Sequence, residues 1–136
     1  MNALDRYGPL VGRILIALIF IFAGFGKITG FEGTVGYIAS KGMPLPQLAA
    51  IGAIIIELGG GIMLLLGWKT RLAAMALFLF TGLAALIFHN FWAAAPDQAQ
   101  NQMIHFMKNL AIMGGMIFVM VHGAGALSLD KKINHG

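Results

Sequence analysis

Glu57 is the residue whose position most needs a chemical explanation, because it lies inside the long apolar segment 47–67. If that segment crosses a membrane as a helix, Glu57 lies about ten residues from its start, roughly 15 Å along the axis and near the middle of the hydrocarbon core. An unpaired carboxylate at that depth costs several kcal/mol. Arg13 is the predicted partner, because its long side chain can reach inward along a helix face of small residues. Lys108 is the second choice.

Three interpretations of Glu57 stay open from the sequence. The first is a structural ion pair with Arg13 that fixes the register of two helices. The second is a proton acceptor or hydrogen-bond partner for the polar head group of a bound molecule. The third is a helix that places Glu57 in a water-filled gap.

A second group of polar side chains is predicted to gather near one membrane face. His89 ends one apolar segment, His105, Lys108 and Asn109 lie near the start of the next, and Lys27 closes the first. Such imidazole, ammonium and amide groups can hydrogen-bond a quinone carbonyl or another small polar ligand. Equally, they can bond to loops and water at the wet end of a helix.

The same two histidines could share a metal or a b-type haem if they face each other at matching depth. No other residue supports such a centre, and no metal site is predicted. The chain has no cysteine, which excludes disulfides, thiolate metal sites and covalent haem attachment.

The elements that must position these residues are membrane-spanning helices. Hydrophobic residues make up 59% of the 136 and charged residues only 10%, whereas soluble domains are about a quarter charged. The apolar run 14–22 has the length of a signal-peptide core, but no small-residue cleavage site follows it. The sequence predicts a single all-α domain over residues 1–136, an integral membrane four-helix bundle with spans at about 7–28, 47–67, 72–91 and 103–127.

Two further helical patterns refine this architecture. Arg13, Ala17, Phe20, Gly24 and Lys27 fall on one stripe of the first span, which is predicted to face other helices because small residues permit close packing. Between spans 1 and 2, the apolar residues of segment 29–46 have helical spacing and predict a short interfacial amphipathic helix.

The distribution of Lys and Arg predicts the orientation of the bundle. Six lie on the side that carries both termini and three on the other; they are Arg6, Arg13, Lys69, Arg71, Lys131 and Lys132, against Lys27, Lys41 and Lys108. The positive-inside rule then places both termini in the cytoplasm. No basic patch is interleaved with aromatic residues, so nucleic acid is not a predicted partner.

Several motifs resemble those of the DoxX family of small bacterial inner-membrane proteins. The resemblance covers about 120 residues, nearly the whole chain, and rests on Gly12-Arg13, residues 22–28 (Phe-Ala-Gly-Phe-Gly-Lys-Ile), Pro44-Leu45-Pro46, residues 57–61 (Glu-Leu-Gly-Gly-Gly), 67–71 (Gly-Trp-Lys-Thr-Arg), 88–92 (Phe-His-Asn-Phe-Trp) and 102–111. It implies a multi-pass four-helix bundle with both termini inside. Related proteins are membrane subunits of oxidoreductase assemblies, including a thiosulfate:quinone oxidoreductase, and a mycobacterial relative joins a complex that handles oxidative stress.

The leading hypothesis is a redox-associated subunit of the bacterial inner membrane that binds a quinone-like molecule near the periplasmic face. Glu57, His89 and Lys108 would hydrogen-bond or exchange protons with it, while Arg13 holds Glu57. Quinone is the candidate cofactor. The expected partners are the lipid bilayer and either a redox protein or a second copy of the chain. The alternative is a non-catalytic membrane scaffold that docks a partner protein.

Overall fold

A computed structural model describes residues 1–134, and in that range every regular element is helical. The four long helices are α1 (Ala3–Thr29), α3 (Pro46–Leu66), α4 (Thr70–Phe88) and α5 (Pro96–His122), each long and apolar enough to cross a membrane. The other helical elements of residues 1–134 are two short α-helices, α2 (Phe31–Ser40) after α1 and α6 (Leu129–Asn134) after α5, and a 3₁₀ turn at Phe91–Ala93. The predicted all-α fold with four candidate spans is confirmed. The orientation and the interfacial position of α2 stay predictions.

The fourth span is displaced from the predicted range 103–127. Pro96 occupies the first turn of α5, where its missing N–H and fixed φ are well tolerated. Gly123, with φ +77°, ends the helix and turns the chain. The 27 residues of α5 extend about 40 Å, longer than the hydrocarbon core of about 30 Å, so the polar first turns lie beyond the apolar stretch from which the span was predicted.

Small residues bring α1, α3 and α4 into close contact. A Cβ atom added at Gly24 would lie 2.7 Å from Leu58 Cγ, and one at Gly60 would lie 2.9 Å from Leu77 Cγ. The predicted inward stripe of α1 is confirmed, since its buried residues are Arg13, Ala17, Phe20 and Gly24.

Arg13 closes the end of the bundle that carries the N-terminus. Its Nη1 donates to the carbonyls of Leu64 at 2.9 Å and Leu65 at 3.0 Å, at the end of α3 where helix carbonyls lack partners. Its Nη2 donates to the carbonyl of Leu127, in the segment after α5. A single guanidinium, 1% exposed, therefore joins three parts of the chain by backbone contacts.

The close approach at Gly24 predicts a difference between two glycines of α1. Gly24→Ala forces Leu58 to move and should lower the free energy of unfolding by about 1–3 kcal/mol. Gly26→Ala is the matched control, because nothing lies within 4 Å of a Cβ added there. Unfolding in mild detergent measures both, and equal destabilisation would contradict this packing.

The contacts of Arg13 predict a loss of stability when its donors are removed. Arg13→Met leaves three carbonyls without their donor and should destabilise the bundle by about 1–3 kcal/mol. Arg6→Met, at an exposed position in the same helix, should leave the midpoint of thermal unfolding in detergent almost unchanged. Similar midpoints for the two variants would show that the contacts of Arg13 do not stabilise its end of the bundle.

Candidate functional site

The partner of Glu57 is Lys27. The Lys27 Nζ atom lies 2.9 Å from Glu57 Oε1 and 3.1 Å from Oε2, so both carboxylate oxygens face the same ammonium group. The Glu57 side chain is 3% exposed and that of Lys27 29%. The pair therefore has one buried member and one that reaches the edge of the bundle.

The predicted pairing of Arg13 with Glu57 is wrong, and the antiparallel register of α1 and α3 explains why. Arg13 meets Leu64, Gly24 meets Leu58, and Lys27 meets Glu57. Lys27 follows Arg13 by four turns of α1, about 21 Å along the axis. Both cations lie on the same helix stripe, but only Lys27 lies level with the carboxylate.

Glu57 lies in an irregular part of its helix. Residues Ile55–Gly59 form one π-helical turn between regular α-helical segments. A π turn holds an additional residue and changes the direction of the side chains it carries, and such turns are frequent at functional sites. It occurs directly before Gly60 and Gly61, which pack against Leu77 and Ile21. The turn therefore presents Glu57 to α1 while the helix stays in close contact with its neighbours.

A cavity of about 790 Å³ adjoins the ion pair. Its apolar walls come from α1, α2, α3 and α4 with Ile112 of α5, and much of the space exists because small residues line it, among them Ala23, Gly30, Ala49, Gly52 and Ala53. The polar lining residues are Lys27, Thr34, Tyr37, Glu57, Thr81, His89 and Asn109. A few polar groups in a largely apolar space of this size are typical of a small-molecule site.

His89 lies in the cavity wall, and its imidazole ring contacts Gln102, which lies outside the cavity lining. Its Nδ1 is 2.9 Å from Gln102 Oε1. Since a carbonyl oxygen only accepts, Nδ1 donates, which leaves Nε2 of a neutral ring as an acceptor. His105 stacks on His89 with ring centroids 5.0 Å apart, but it is not part of the cavity lining. Rings stacked face to face do not direct their nitrogens at a common iron, so this arrangement differs from bis-histidine haem ligation.

Four of the six predicted ligand-binding residues come together at the cavity: Lys27, Glu57, His89 and Asn109. His105 lies outside the cavity lining and stacks on the His89 ring. Lys108 is exposed and points away from the cavity, because it precedes Asn109 by one residue and therefore lies about 100° around α5.

The sequence analysis missed three polar residues of the cavity, Thr34, Tyr37 and Thr81, and Thr81 is the most deeply buried of them. It is 3% exposed, and its hydroxyl has no hydrogen-bond partner among residues 1–134. Its backbone carbonyl accepts from Asn109 Nδ2 at 3.4 Å. The spacing of Thr81, Ala85 and His89, four residues apart along α4 and the residue that caps it, was the available signal, because it places all three on one helix face.

Four candidate spans that enclose a buried ion pair beside an apolar cavity define a multi-pass membrane protein. Comparison with known proteins gives the family: the DoxX family model matches residues 8–90, which include Lys27, Glu57 and His89. The chain belongs to the DoxX family.

Two relatives from Escherichia coli K12 cover most of the chain. Inner membrane protein YphA is 42% identical over 90% of this chain and 88% of its own length. Inner membrane protein YqjF is 41% identical over 98% of both. These names and the four apolar helices fit a multi-pass inner-membrane protein. A protein of Bacillus subtilis named "putative oxidoreductase CatD" is 36% identical over 64% of this chain and 63% of its own length. No solved structure matches the chain.

The buried pair predicts strong coupling between its two members. Lys27→Met removes the cation from a buried carboxylate and should destabilise the protein by about 3 kcal/mol, whereas Lys27→Met with Glu57→Gln should recover most of that loss. Lys108→Met is the control, with an expected change below about 0.5 kcal/mol. Denaturant unfolding in detergent completes the double-mutant cycle, and additive effects of Lys27→Met and Glu57→Gln would show that the two side chains do not interact.

Proposed function

We propose that this protein is a redox-associated membrane subunit that binds a quinone-like head group in the cavity beside Lys27 and Glu57. The observation that carries the proposal is a nearly buried carboxylate, paired with one ammonium group, that lines an apolar cavity of about 790 Å³. That volume lies within the range of about 300–1,000 Å³ common for small-molecule sites. The oxidoreductase name of CatD supports the same class.

The cavity residues fit a flat molecule with polar oxygens at its edge. The apolar walls suit a ring and its hydrocarbon substituents, while polar groups are few and come from different helices. The Thr81 hydroxyl, buried without a hydrogen-bond partner among residues 1–134, is a donor that a ligand carbonyl would satisfy. His89 offers a ring nitrogen from the end of α4, and Lys27 offers the N–H that does not face Glu57.

A bound quinone would supply two-electron chemistry coupled to the uptake and release of protons. The role of this chain would be to bind, orient and exchange protons. Glu57 can hold a proton at Oε1 or Oε2, and Lys27 stabilises the ionised form by its charge. The Lys27 side chain is 29% exposed, so protons could pass between the ion pair and the surroundings of the bundle at Lys27. The electrons would come from a partner protein.

The site lies toward the end of the bundle opposite the N-terminus and α6. With both termini in the cytoplasm, as the Lys and Arg distribution predicts, the cavity would lie toward the periplasmic face. The proposed subunit would therefore bind its ligand on the outer side of the inner membrane.

The scaffold hypothesis draws on α5. Only Met116 of its 27 residues is fully buried, and Lys108 lies exposed on its surface. A partner protein that packs on this helix would cover its exposed face, including Lys108. Crosslinking from Lys108 in native membranes tests this second function, and a protein recovered only as an isolated chain would contradict it.

Quinone binding is tested by mild purification followed by lipid extraction, and by titration of the emptied protein with ubiquinone and menaquinone analogues. Wild-type protein should retain close to one quinone per chain. Glu57→Gln and Thr81→Val should each weaken binding about tenfold or more, because one hydrogen bond to a charged or buried group is lost. Lys108→Gln is the matched control and should bind as wild type. If no quinone is retained and Glu57→Gln binds the analogues as wild type does, the proposal fails.

A further inference from the structure

The end of the bundle that carries the N-terminus has a second concave surface, a cleft of about 630 Å³ between the start of α4, the end of α5 and the segment that follows. Its basic side chains are Lys69, Arg71, His122 and Lys131, and we call it the basic cleft. It lies at the opposite end of the bundle from Lys27 and Glu57, so its function is independent of the quinone proposal.

The basic cleft is built from tightly packed backbone. Gly123 and Gly125 have φ values of +77° and +83°, conformations that favour glycine. A Cβ atom added at Gly125 would lie 2.5 Å from Pro9 Cβ, and one added at Gly67 would lie 2.5 Å from Ser128 Cβ. The segment after α5 is therefore held against α1 and the turn before α4. Arg71 crosses the end of α5, where its Nη2 donates to the carbonyl of Val121 at 3.2 Å.

One protein carboxylate, that of Asp130, offsets only part of the positive charge of the cleft. Asp130 is the carboxylate in its lining, and its two oxygens accept the backbone N–H groups of Lys69 at 2.7 Å and Thr70 at 2.9 Å. Burial raises the pKa of Asp130, but hydrogen bonds from Thr70 and Lys69 and the charge of Arg13 lower the pKa below its ordinary value overall. Asp130 is thus ionised and already engaged in capping α4.

The remaining side chains leave an excess of positive charge. Within residues 1–134 the only side-chain ion pair is Lys27–Glu57, so Lys69, Arg71 and Lys131 have no carboxylate within 4 Å. The Arg71 guanidinium has five N–H donors in a planar fork suited to phosphate oxygens. The carbonyl of Val121 accepts a hydrogen bond from one of them. The cleft can therefore accept an anion with several oxygens.

The surroundings favour a lipid phosphate over a soluble one. Trp68, 40% exposed, lies 5.2 Å beneath the Lys69 ammonium, and exposed tryptophans of membrane proteins sit at the level of the lipid head groups. From the cleft, an apolar stripe continues along α4 at helical spacing through Leu72, Met75 and Leu79, each about half exposed. The cations and this stripe together match the head group and acyl chain of one lipid molecule.

We propose that the basic cleft binds the phosphodiester head group of an anionic phospholipid, with the acyl chains along the exposed stripe of α4. Arg71 and Lys131 bind the phosphate oxygens, and Lys69 adds charge from the rim. Basic pockets between spans bind such head groups in other membrane proteins. The lipid would belong to the leaflet on the side of both termini.

Native mass spectrometry of the full chain, exchanged into detergent with equal amounts of phosphatidylglycerol and phosphatidylcholine, tests this proposal. Wild-type protein should retain phosphatidylglycerol preferentially. Each cation removed, by Arg71→Gln or Lys131→Gln, should lower that preference about fivefold. Lys41→Gln is the matched control, because it removes the same charge from an exposed position at the other end of the bundle.

Three results would overturn the proposal. The first is equal retention of the two lipids by wild-type protein, and the second is an equal loss of preference in Lys41→Gln and Lys131→Gln. The third is a thermal stabilisation by inorganic phosphate alone that matches the stabilisation by phosphatidylglycerol vesicles, since it would assign the cleft to a soluble anion. The Lys131 side chain donates no hydrogen bond within residues 1–134. Its substitution therefore measures lipid binding by the cleft even if Arg71→Gln folds poorly.

Discussion

The ion pair between Lys27 and Glu57 is the interaction on which the arrangement of the bundle depends. A carboxylate nearly closed off from solvent in the middle of an apolar helix is costly, and a cation that meets it offsets much of that cost. That pairing sets α1 and α3 at one antiparallel register, in which Gly24 packs against Leu58 and Gly61 against Ile21. The close contact and the ion pair therefore support each other.

The two cations on the inward stripe of α1 have different acceptors and different consequences. Arg13 donates only to backbone carbonyls, which are fixed in place, and it seals its end of the bundle. Lys27 meets a carboxylate, whose charge depends on a proton, at an end where small residues leave a cavity. The contacts of Arg13 therefore suit a purely structural role, whereas the contact of Lys27 with Glu57 suits proton exchange.

The cavity and the basic cleft would place two different kinds of molecule at opposite ends of one small bundle. The cavity is apolar with a few hydrogen-bonding groups, which suits a neutral ring system. The cleft has an excess of cations, which suits an anion. The two sites differ in charge and polarity as well as in position, and neither needs a residue of the other.

The sequence by itself determined the number and order of the spans, the inward stripe of α1 and most of the polar residues at the cavity. These follow from apolar length and helical period, which are local properties of the chain. The tertiary structure decided which cation meets Glu57, that Lys108 faces outward and that Thr81 lines the cavity. Helical period gives the face on which a residue lies, but the register between two helices arises from packing and desolvation across the whole bundle, and no local pattern records it.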